Sequence, residues 1–322
     1  MRRVAGLVAS ALGTFLIVLA LLTRFYVADQ AIKFPLNESS VSTLTASNAS
    51  YFSASALQER TGVNLTDTTT VQGDVASSNS SRAVWNEFTY LYDSTNHQAF
   101  DYSLSRLAFD RRTGALQNCC GAAIGTDTKL KFSGLGYVWP LGSQKTTYQL
   151  FDMTLLKPMP TRYEGTAVVD GETTYKFVEQ VPPTQSGTET LPGSLVGVTG
   201  QQTVQLDEYY KGTTTDWVDP ATGAPVRVST DEHLYLVNSA GTQVLNLLNA
   251  DFNTTPATVA SAVNTAKSDD AKISLVAVIL PVVFGLLGII LLIIGIILAW
   301  PRAQYDYEDE LAGDFEGGEV PA

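Results

Sequence analysis

Histidine, cysteine and basic residues are scarce in this 322-residue chain, and each shortage argues against a class of function. Two histidines and two cysteines leave little material for a multi-ligand His/Cys metal site, and we expect neither a metal nor a cofactor. The 20 Lys and Arg residues are outnumbered by 32 Asp and Glu residues, which gives a formal net charge of −12. Because no basic cluster could neutralise a row of phosphates, the sequence argues against nucleic-acid binding.

Motifs of known enzyme classes are also absent from the sequence. It contains no G-x-S-x-G nucleophile elbow, no H-E-x-x-H helix and no Gly-rich phosphate-binding loop. A hydrolase using His97 or His233 can still be drawn, since Asp231 and Glu232 precede His233. However, His233 falls in a strand pattern typical of a structural or solvent-facing histidine. We therefore predict a non-enzymatic protein with no catalytic residue.

Two long apolar runs dominate the ends of the chain. Residues 4–23 include no charged side chain, and residues 273–300 include 20 Leu, Ile, Val or Phe residues. A helix needs about 20 apolar residues to cross the hydrocarbon core of a bilayer. The sequence therefore predicts two transmembrane helices, at 4–23 and at 273–300.

The first run has two other interpretations. Arg2 and Arg3 precede it, as in a secretory signal peptide or a twin-arginine export signal. A small-x-small cleavage site is missing after it, and the hydrophobic context is ordinary for a membrane helix. We expect the run to be kept as an anchor.

The basic residues near the first run predict its orientation. Arg2, Arg3 and the terminal amine outweigh Arg24 on the other side, which places residues 1–3 in the cytoplasm. Two spans would return the C-terminus to the cytoplasm and leave residues 24–272 outside. We therefore expect a two-pass protein of the plasma membrane. Pro281 should bend the second span or mark where it leaves the exterior domain.

Small residues recur at helical spacing in both runs. Close approach of helices in lipid depends on such stripes, so we expect the two spans to pack together. The alternative is that glycine and alanine are simply common in membrane helices. The candidate packing residues are Gly6, Ser10, Gly13, Ala20, Gly285, Gly288, Gly295 and Ala299.

The last 22 residues, 301–322, are strongly acidic. They carry seven Asp and Glu residues against Arg302 alone, which is half of the net charge. With so little apolar content the segment should be a disordered cytoplasmic tail, and a partner-binding tail is the alternative.

The segment between the two runs has the signals of an antiparallel, hairpin-rich β domain with some α structure. Asp170-Gly171 separates two β-rich runs, and a second hairpin is expected around Pro220 and Gly223. A third should lie in residues 236–248. We predict a short helix near 54–60 and surface loops at 75–81 and 182–193.

One short motif occurs twice in this segment. Residues 109–116 read FDRRTGAL and residues 218–225 read VDPATGAP. An Asp that opens a turn closed by a Gly explains the similarity without common ancestry. Two related β halves are the alternative.

Cys119 and Cys120 are adjacent. Exported thiols tend to oxidise, but neighbouring Cα atoms are about 3.8 Å apart, below the usual disulfide range of about 4.4–6.8 Å. A vicinal disulfide between them would be strained, and we still regard it as the leading candidate. Reduced thiols, a crosslink to another chain and, least of all, a two-thiol metal site are the alternatives.

Several segments resemble one family. GYVWPLGSQKTTYQLFD, PTRYEGTAVVDGETTYKFVEQVP, LPGSLVG and YYKGTTTDWVDPATGAPVRV are similar to segments of the porin PorA family of two-span actinobacterial membrane proteins. The resemblance covers nearly the whole chain and implies a pore, with no catalytic residues to transfer. A membrane β-barrel requires an apolar outer band and aromatic girdles. Because two helices already anchor this chain, its residues do not favour such a barrel.

Three functional hypotheses follow. The leading one is a non-enzymatic cell-envelope protein whose exterior β domain binds a lipid, a glycolipid or a protein partner. The protein would be embedded in the lipid bilayer, and a homo-oligomer is compatible with this hypothesis. The alternative is a porin or channel component. The third, and the least favoured, is an envelope hydrolase.

Overall fold

The computed structural model describes residues 1–300, so the predicted tail at 301–322 lies outside the described residues. The chain forms two compact units. The first comprises residues 1–28 and 275–300 and is helical, and the second, Asp29–Ser274, is mainly β-strand. The predicted fold class, an antiparallel β domain between two apolar helical segments, is confirmed.

Apolar helical runs occur at both ends of the described chain, and each is long and apolar enough to cross a membrane. Each run contains a π-helical turn. The second π turn lies just before Pro281, which has no N–H to donate to the preceding turn and so favours a break in the α pattern there. The helical segments are α1 Arg2–Leu22, a π turn Thr23–Val27, α2 Ala28–Ala31, α3 Pro256–Ser274, a π turn Leu275–Ile279 and α4 Leu280–Ala299.

Helices α1 and α4 pack against each other through glycines. A Cβ added at Gly13 would lie 2.6 Å from the backbone nitrogen of Leu292, and one added at Gly6 would lie 2.6 Å from that of Ala299. A Cβ at Gly288 would lie 2.8 Å from the Gly13 carbonyl oxygen. The two backbones are therefore in direct contact, which only residues without side chains allow.

Twelve strands form one antiparallel sheet in the second unit. Its order is β5-β4-β3-β2-β1-β12-β11-β10-β9-β8-β7, and β6 pairs with β4. Alternation of Thr, Val and aromatic residues with polar residues favours these strands. Their bounds are β1 Ser39–Ser53, β2 Gln58–Gly73, β3 Arg82–Asp93, β4 Gln98–Asp110, β5 Leu116–Gln117, β6 Ala123–Ile124, β7 Tyr148–Asp152, β8 Lys157–Val169, β9 Glu172–Pro192, β10 Thr203–Val218, β11 Pro225–Val237 and β12 Gln243–Thr254.

The sheet curves and its two edges are joined at one end. Tyr51 of β1 stacks on Phe100 of β4 with ring centroids 3.9 Å apart, although β2 and β3 lie between them in the sheet. Leu135 forms isolated bridges to Ala115, next to β5, and to Leu150 in β7. We call this structure the β barrel and its concave side the inner face.

Apolar clusters occupy the two ends of the inner face. One end holds Tyr51, Leu65 and Phe252, near the hairpins β1–β2 and β3–β4. The other end is built from several clusters, whose largest members are Trp85, Phe109, Trp139 and Phe177. Residues 132–139, which follow β6, supply Phe132, Leu135, Val138 and Trp139 to this second end.

All three predicted hairpins are present, as β8–β9, β10–β11 and β11–β12, and residues 75–77 form a short 3-10 helix within the predicted loop. Two other local predictions are wrong. Residues 54–57 are a turn and residues 58–60 begin β2. Residues 182–192 belong to β9, which pairs there with β10 alone. Prolines are tolerated on such a one-sided strand, because no second neighbour needs their missing N–H.

An acidic layer inside the barrel

The middle of the inner face is polar. Side chains two residues apart in a strand lie on the same face of the sheet. Residues paired across strands also lie on the same face, so the pairing of Glu87 with Val71 and with Ser105 identifies the inner-face positions of β2, β3 and β4. Between the two apolar ends these positions carry hydroxyls and carboxylates. The hydroxyls belong to Thr69, Thr89, Ser103, Ser105, Thr161, Thr214 and Thr230. The carboxylates, which we call the acidic layer, belong to Asp67, Glu87, Asp101, Asp152, Glu179, Asp216 and Glu232.

Glu232 shows that these carboxylates share one interior. Burial, and after it the charges of Asp67, Asp152 and Asp101, raise the pKa of Glu232 to about 7. Glu232 lies on β11, whereas the other three lie on β2, β7 and β4. Since these strands are far apart in the sheet order, their carboxylates interact across the barrel.

Asp216 and Glu87 are the least compensated members of the layer. Asp216 is only 7% exposed, and within residues 1–300 no hydrogen bond to its carboxylate is present. Burial raises its pKa to about 7. Burial also raises the pKa of Glu87 to about 7, with a contribution from the charge of Asp67. Both groups are therefore partly protonated near neutral pH.

Glu179 and Asp152 form a coupled pair. The Thr161 hydroxyl donates to Oε2 of Glu179 at 3.2 Å. Burial and then the charge of Asp152 raise the pKa of Glu179 to about 8, and burial raises the pKa of Asp152 as well. Two neighbouring carboxyls avoid ionising together, so this pair holds a proton at neutral pH.

Solvent reaches the acidic layer. Asp101 and Ser103 are exposed, and Glu87 and Glu232 are half-buried. The basic residues of the inner face within the described strands, Arg60 and Lys157, lie near strand ends. The layer can therefore attract cations and repel anions, while its hydroxyls offer neutral oxygen ligands.

The outer face of the barrel is mostly polar. It carries Thr66, Thr68 and Thr70 on β2, and Asp251 and Asn253 on β12. A lipid-facing barrel would need an apolar band about 25 Å tall with aromatic girdles, and the described strands do not form one.

One part of the outer face, on β3 and β4, is aromatic. Phe88 stacks on Tyr102 with centroids 6.3 Å apart, and Tyr90 lies 5.9 Å from both Tyr92 and Tyr102. Phe88 is 45% exposed and Tyr102 is 61% exposed. We call these four residues together with Leu104 the aromatic strip.

The residues singled out in the sequence lie elsewhere. His97 is in the β3–β4 turn, and His233 bonds through Nε2 to Asn246 Oδ1 at 2.7 Å. Cys119 and Cys120 are free thiols in the turn between β5 and β6. Within residues 1–300 neither histidine bonds to a serine hydroxyl, and no group of three or more His, Cys, Asp and Glu residues could hold a metal ion.

The sequence patterns do not predict the acidic layer. Each of its residues is a single acid in a strand pattern, such as Asp67 in LTDTTTV or Asp216 in TTTDWV. The only local signal of the acidic layer is an acidic residue at a strand position that faces inward. This signal does not show which acidic residues of other strands lie near it.

Taken together, two apolar helices and a β barrel with an acidic interior define a helix-anchored membrane protein with a polar-lined β domain. Residues 5–297 match the Porin PorA family, so the chain belongs to that family.

Two curated relatives are named Porin PorA. The one from Corynebacterium resistens is 39% identical over 64 residues, which cover 20% of this chain and 15% of the relative. The one from Corynebacterium amycolatum is 28% identical over 130 residues, which cover 32% of this chain and 34% of the relative. The matched segments thus span about a third or less of each relative's length.

Proposed function

We propose that this protein is a porin-type channel component whose β barrel admits small cations and polar solutes. The observation that carries the proposal is the acidic layer, which gathers seven carboxylates from seven strands on a solvent-accessible inner face. Membership of the Porin PorA family supports the same class of function.

The chemistry of the layer favours cations over anions. With pKa values of about 6 to 8 for Asp67, Glu87 and Glu179, the carboxylates are partly ionised at neutral pH. The interior therefore has a negative electrostatic potential, although not every carboxylate is ionised at the same time. Threonine and serine oxygens can replace part of the hydration shell of a passing ion, as neutral oxygen ligands do in other channels.

The polar outer face suggests that the barrel lies outside the bilayer and acts as a vestibule. We propose that both termini are cytoplasmic and that residues 24–272 are exterior. Two helices enclose no channel, so passage across the bilayer would require several copies to assemble. Protease added to intact cells should cut the β domain, and full protection of that domain would contradict this topology.

Planar-bilayer recording of the full chain under a salt gradient tests the channel. We expect a reversal potential that indicates cation preference. At pH 8, Glu232→Gln should lower the cation-to-anion permeability ratio about 2- to 10-fold, since one charge roughly 8 Å from an ion is worth about 0.5–1.4 kcal/mol at an effective dielectric constant of about 30–80.

Asp231→Asn is the matched control for this experiment. Asp231 is the next residue of β11, is exposed and faces outward, so its variant loses the same charge outside the barrel and should keep the preference of the unmodified chain. Electrical silence of demonstrably inserted protein would refute the channel. Equal effects of the two variants would refute the role of the acidic layer.

Lipid, glycolipid or partner binding is the second candidate, and the aromatic strip is the observation that favours it. Exposed, stacked aromatic rings suit an apolar or sugar ligand. Mass spectrometry of lipids that co-purify with the full chain should show a species depleted in Tyr102→Ser but retained in Tyr209→Ser, which removes a tyrosine from the outer face of β10. Identical lipid profiles would contradict the candidate.

We also propose that four of the eight small residues predicted from the sequence, Gly6, Gly13, Gly288 and Gly295, hold the two helices together, because their positions are in backbone contact with the other helix. Gly288→Ala should destabilise the helix pair by about 1–3 kcal/mol, because its Cβ would lie 2.8 Å from the Gly13 oxygen. Gly285→Ala is the control, since its Cβ would meet only Ala20 Cβ, at 3.9 Å. A dodecyl-sulfate titration followed by circular dichroism measures both. Equal midpoints would contradict the proposal.

A further inference from the structure

Cys119 and Cys120 lie in a tight turn between β5 and β6. The Ala122 N–H donates to the Cys119 carbonyl at 3.0 Å, and the two central residues, Cys120 and Gly121, have φ of +62° and +76°. Glycine adopts this left-handed conformation readily, whereas for cysteine it is strained. The surrounding structure must therefore hold the turn in place.

Two side chains hold the turn. Arg106 Nε donates to the Cys120 carbonyl at 3.0 Å. On the other side, the Asn118 side chain donates to the Phe132 carbonyl at 2.8 Å and accepts from the Phe132 N–H at 2.7 Å. Since the backbone on both sides is fixed, the two thiols stay next to each other.

The thiols are accessible to a small molecule. Both are half-buried and line an open cavity of about 180 Å³, together with Thr128 and Lys131. Burial and the neighbouring Cys120 thiol raise the pKa of Cys119, whereas Arg82 lowers it. The Arg82 guanidinium, whose Nε is buried without a hydrogen-bond partner within residues 1–300, is close enough to the Cys119 thiol to favour its thiolate form.

We propose that Cys119 and Cys120 are a redox-modification site, a vicinal dithiol that is oxidised reversibly by low-molecular-weight disulfides. One thiolate attacks the disulfide RSSR, forms a mixed disulfide and releases RS⁻. The second thiolate then displaces the other RS⁻ and closes the Cys119–Cys120 bond. The cysteines lose two electrons, RSSR gains them, and the two thiol protons end on the two released RSH molecules.

Geometry makes the oxidised form easy to reduce. Adjacent Cα atoms are about 3.8 Å apart, below the common disulfide range of about 4.4–6.8 Å, and strained or exposed disulfides are the labile ones. The pair should therefore cycle with the redox state of its surroundings.

The test uses the full chain in detergent, incubated with oxidised glutathione and then alkylated. Peptide mass spectrometry should show loss of both alkylations and of two hydrogens from the peptide that contains residues 119–120, and mild dithiothreitol should restore both alkylations. Cys119→Ser and Cys120→Ser should instead accumulate a glutathione mixed disulfide. Thiols that stay reduced, a stable mixed disulfide in the unmodified chain, or a crosslinked dimer would each overturn the proposal.

Discussion

The turns at 110–115 and 219–224 have the same pattern and the same backbone geometry, but they lie in different surroundings. In the first, the Asp110 N–H donates to Ala115 O at 2.9 Å and the Gly114 N–H to Asp110 O at 3.0 Å. In the second, Asp219 and Gly223 make the corresponding bonds to Ala224 and Asp219, both at 2.9 Å. The repeated motif therefore encodes a turn.

The difference between the turns is burial. Asp219 is 3% exposed and Thr222 is 7% exposed, whereas Asp110 is half-buried and Thr113 is exposed. Both turns hold the segment that covers this end of the barrel, since Leu141 N donates to Arg112 O at 2.9 Å and Trp139 N to Gly223 O at 3.0 Å. The shared D-x-x-T-G-A pattern thus gives the same turn hydrogen bonds in both places. The tertiary contacts decide how much each turn contributes to stability.

The largest expected effect is that of Gly223→Ala. Gly223 has φ of +69°, and a Cβ there would collide with the carbonyl oxygens of Trp139 and Pro140. Left-handed strain of about 1–2 kcal/mol and overpacking of about 1–3 kcal/mol should together lower the free energy of unfolding by about 2–5 kcal/mol, measured by guanidinium titration in detergent.

Gly142→Ala is the control for this prediction. Gly142 has φ of +72°, and an added Cβ would have nothing within 4 Å, so only the conformational cost of about 1–2 kcal/mol should remain. A loss at Gly142 as large as the loss at Gly223 would show that the buried contact adds nothing.

A smaller difference should separate the two aspartates. Asp219 Oδ1 accepts from Thr222 N at 2.8 Å and from its hydroxyl at 2.6 Å, so Asp219→Ala leaves two buried donors unpaired and should cost about 2–4 kcal/mol. Asp110→Ala exposes the N–H groups of Arg112 and Thr113 to water and should cost about 1 kcal/mol. The same titration measures both variants, and equal losses would remove the distinction between the turns.

The same contrast shows what sequence can and cannot predict here. Gly223 and Gly171 predict hairpins, because the tight turn of a hairpin requires a residue with positive φ. The two spans are equally local, since an uncharged apolar run of about 20 residues is enough to identify each. These features depend on neighbouring residues only.

The acidic layer depends on distant residues. Asp67 and Glu232 come from strands far apart in sequence, and β1 and β12 lie between those strands in the sheet, so their charges interact because the sheet curves. Leu135 lies outside any strand pattern. Register and closure are therefore tertiary properties that no local sequence pattern contains. The same holds for β9 beyond Pro182, where prolines fit a strand because only β10 pairs with it.

The smallest effect is a pH dependence confined to the exposed turn. Burial raises the pKa of Asp110, but hydrogen bonds from the Thr113 and Arg112 N–H groups lower it by more, so its pKa in the folded chain is depressed. A depressed pKa contributes stability above the unfolded value of about 3.9, and this stability is lost as the pH falls through the folded pKa. The difference in melting temperature between the unmodified chain and Asp110→Ala should therefore be larger at pH 7 than at pH 3, as scanning calorimetry can measure. An equal difference at both pH values would mean that the Asp110 charge does not stabilise the turn.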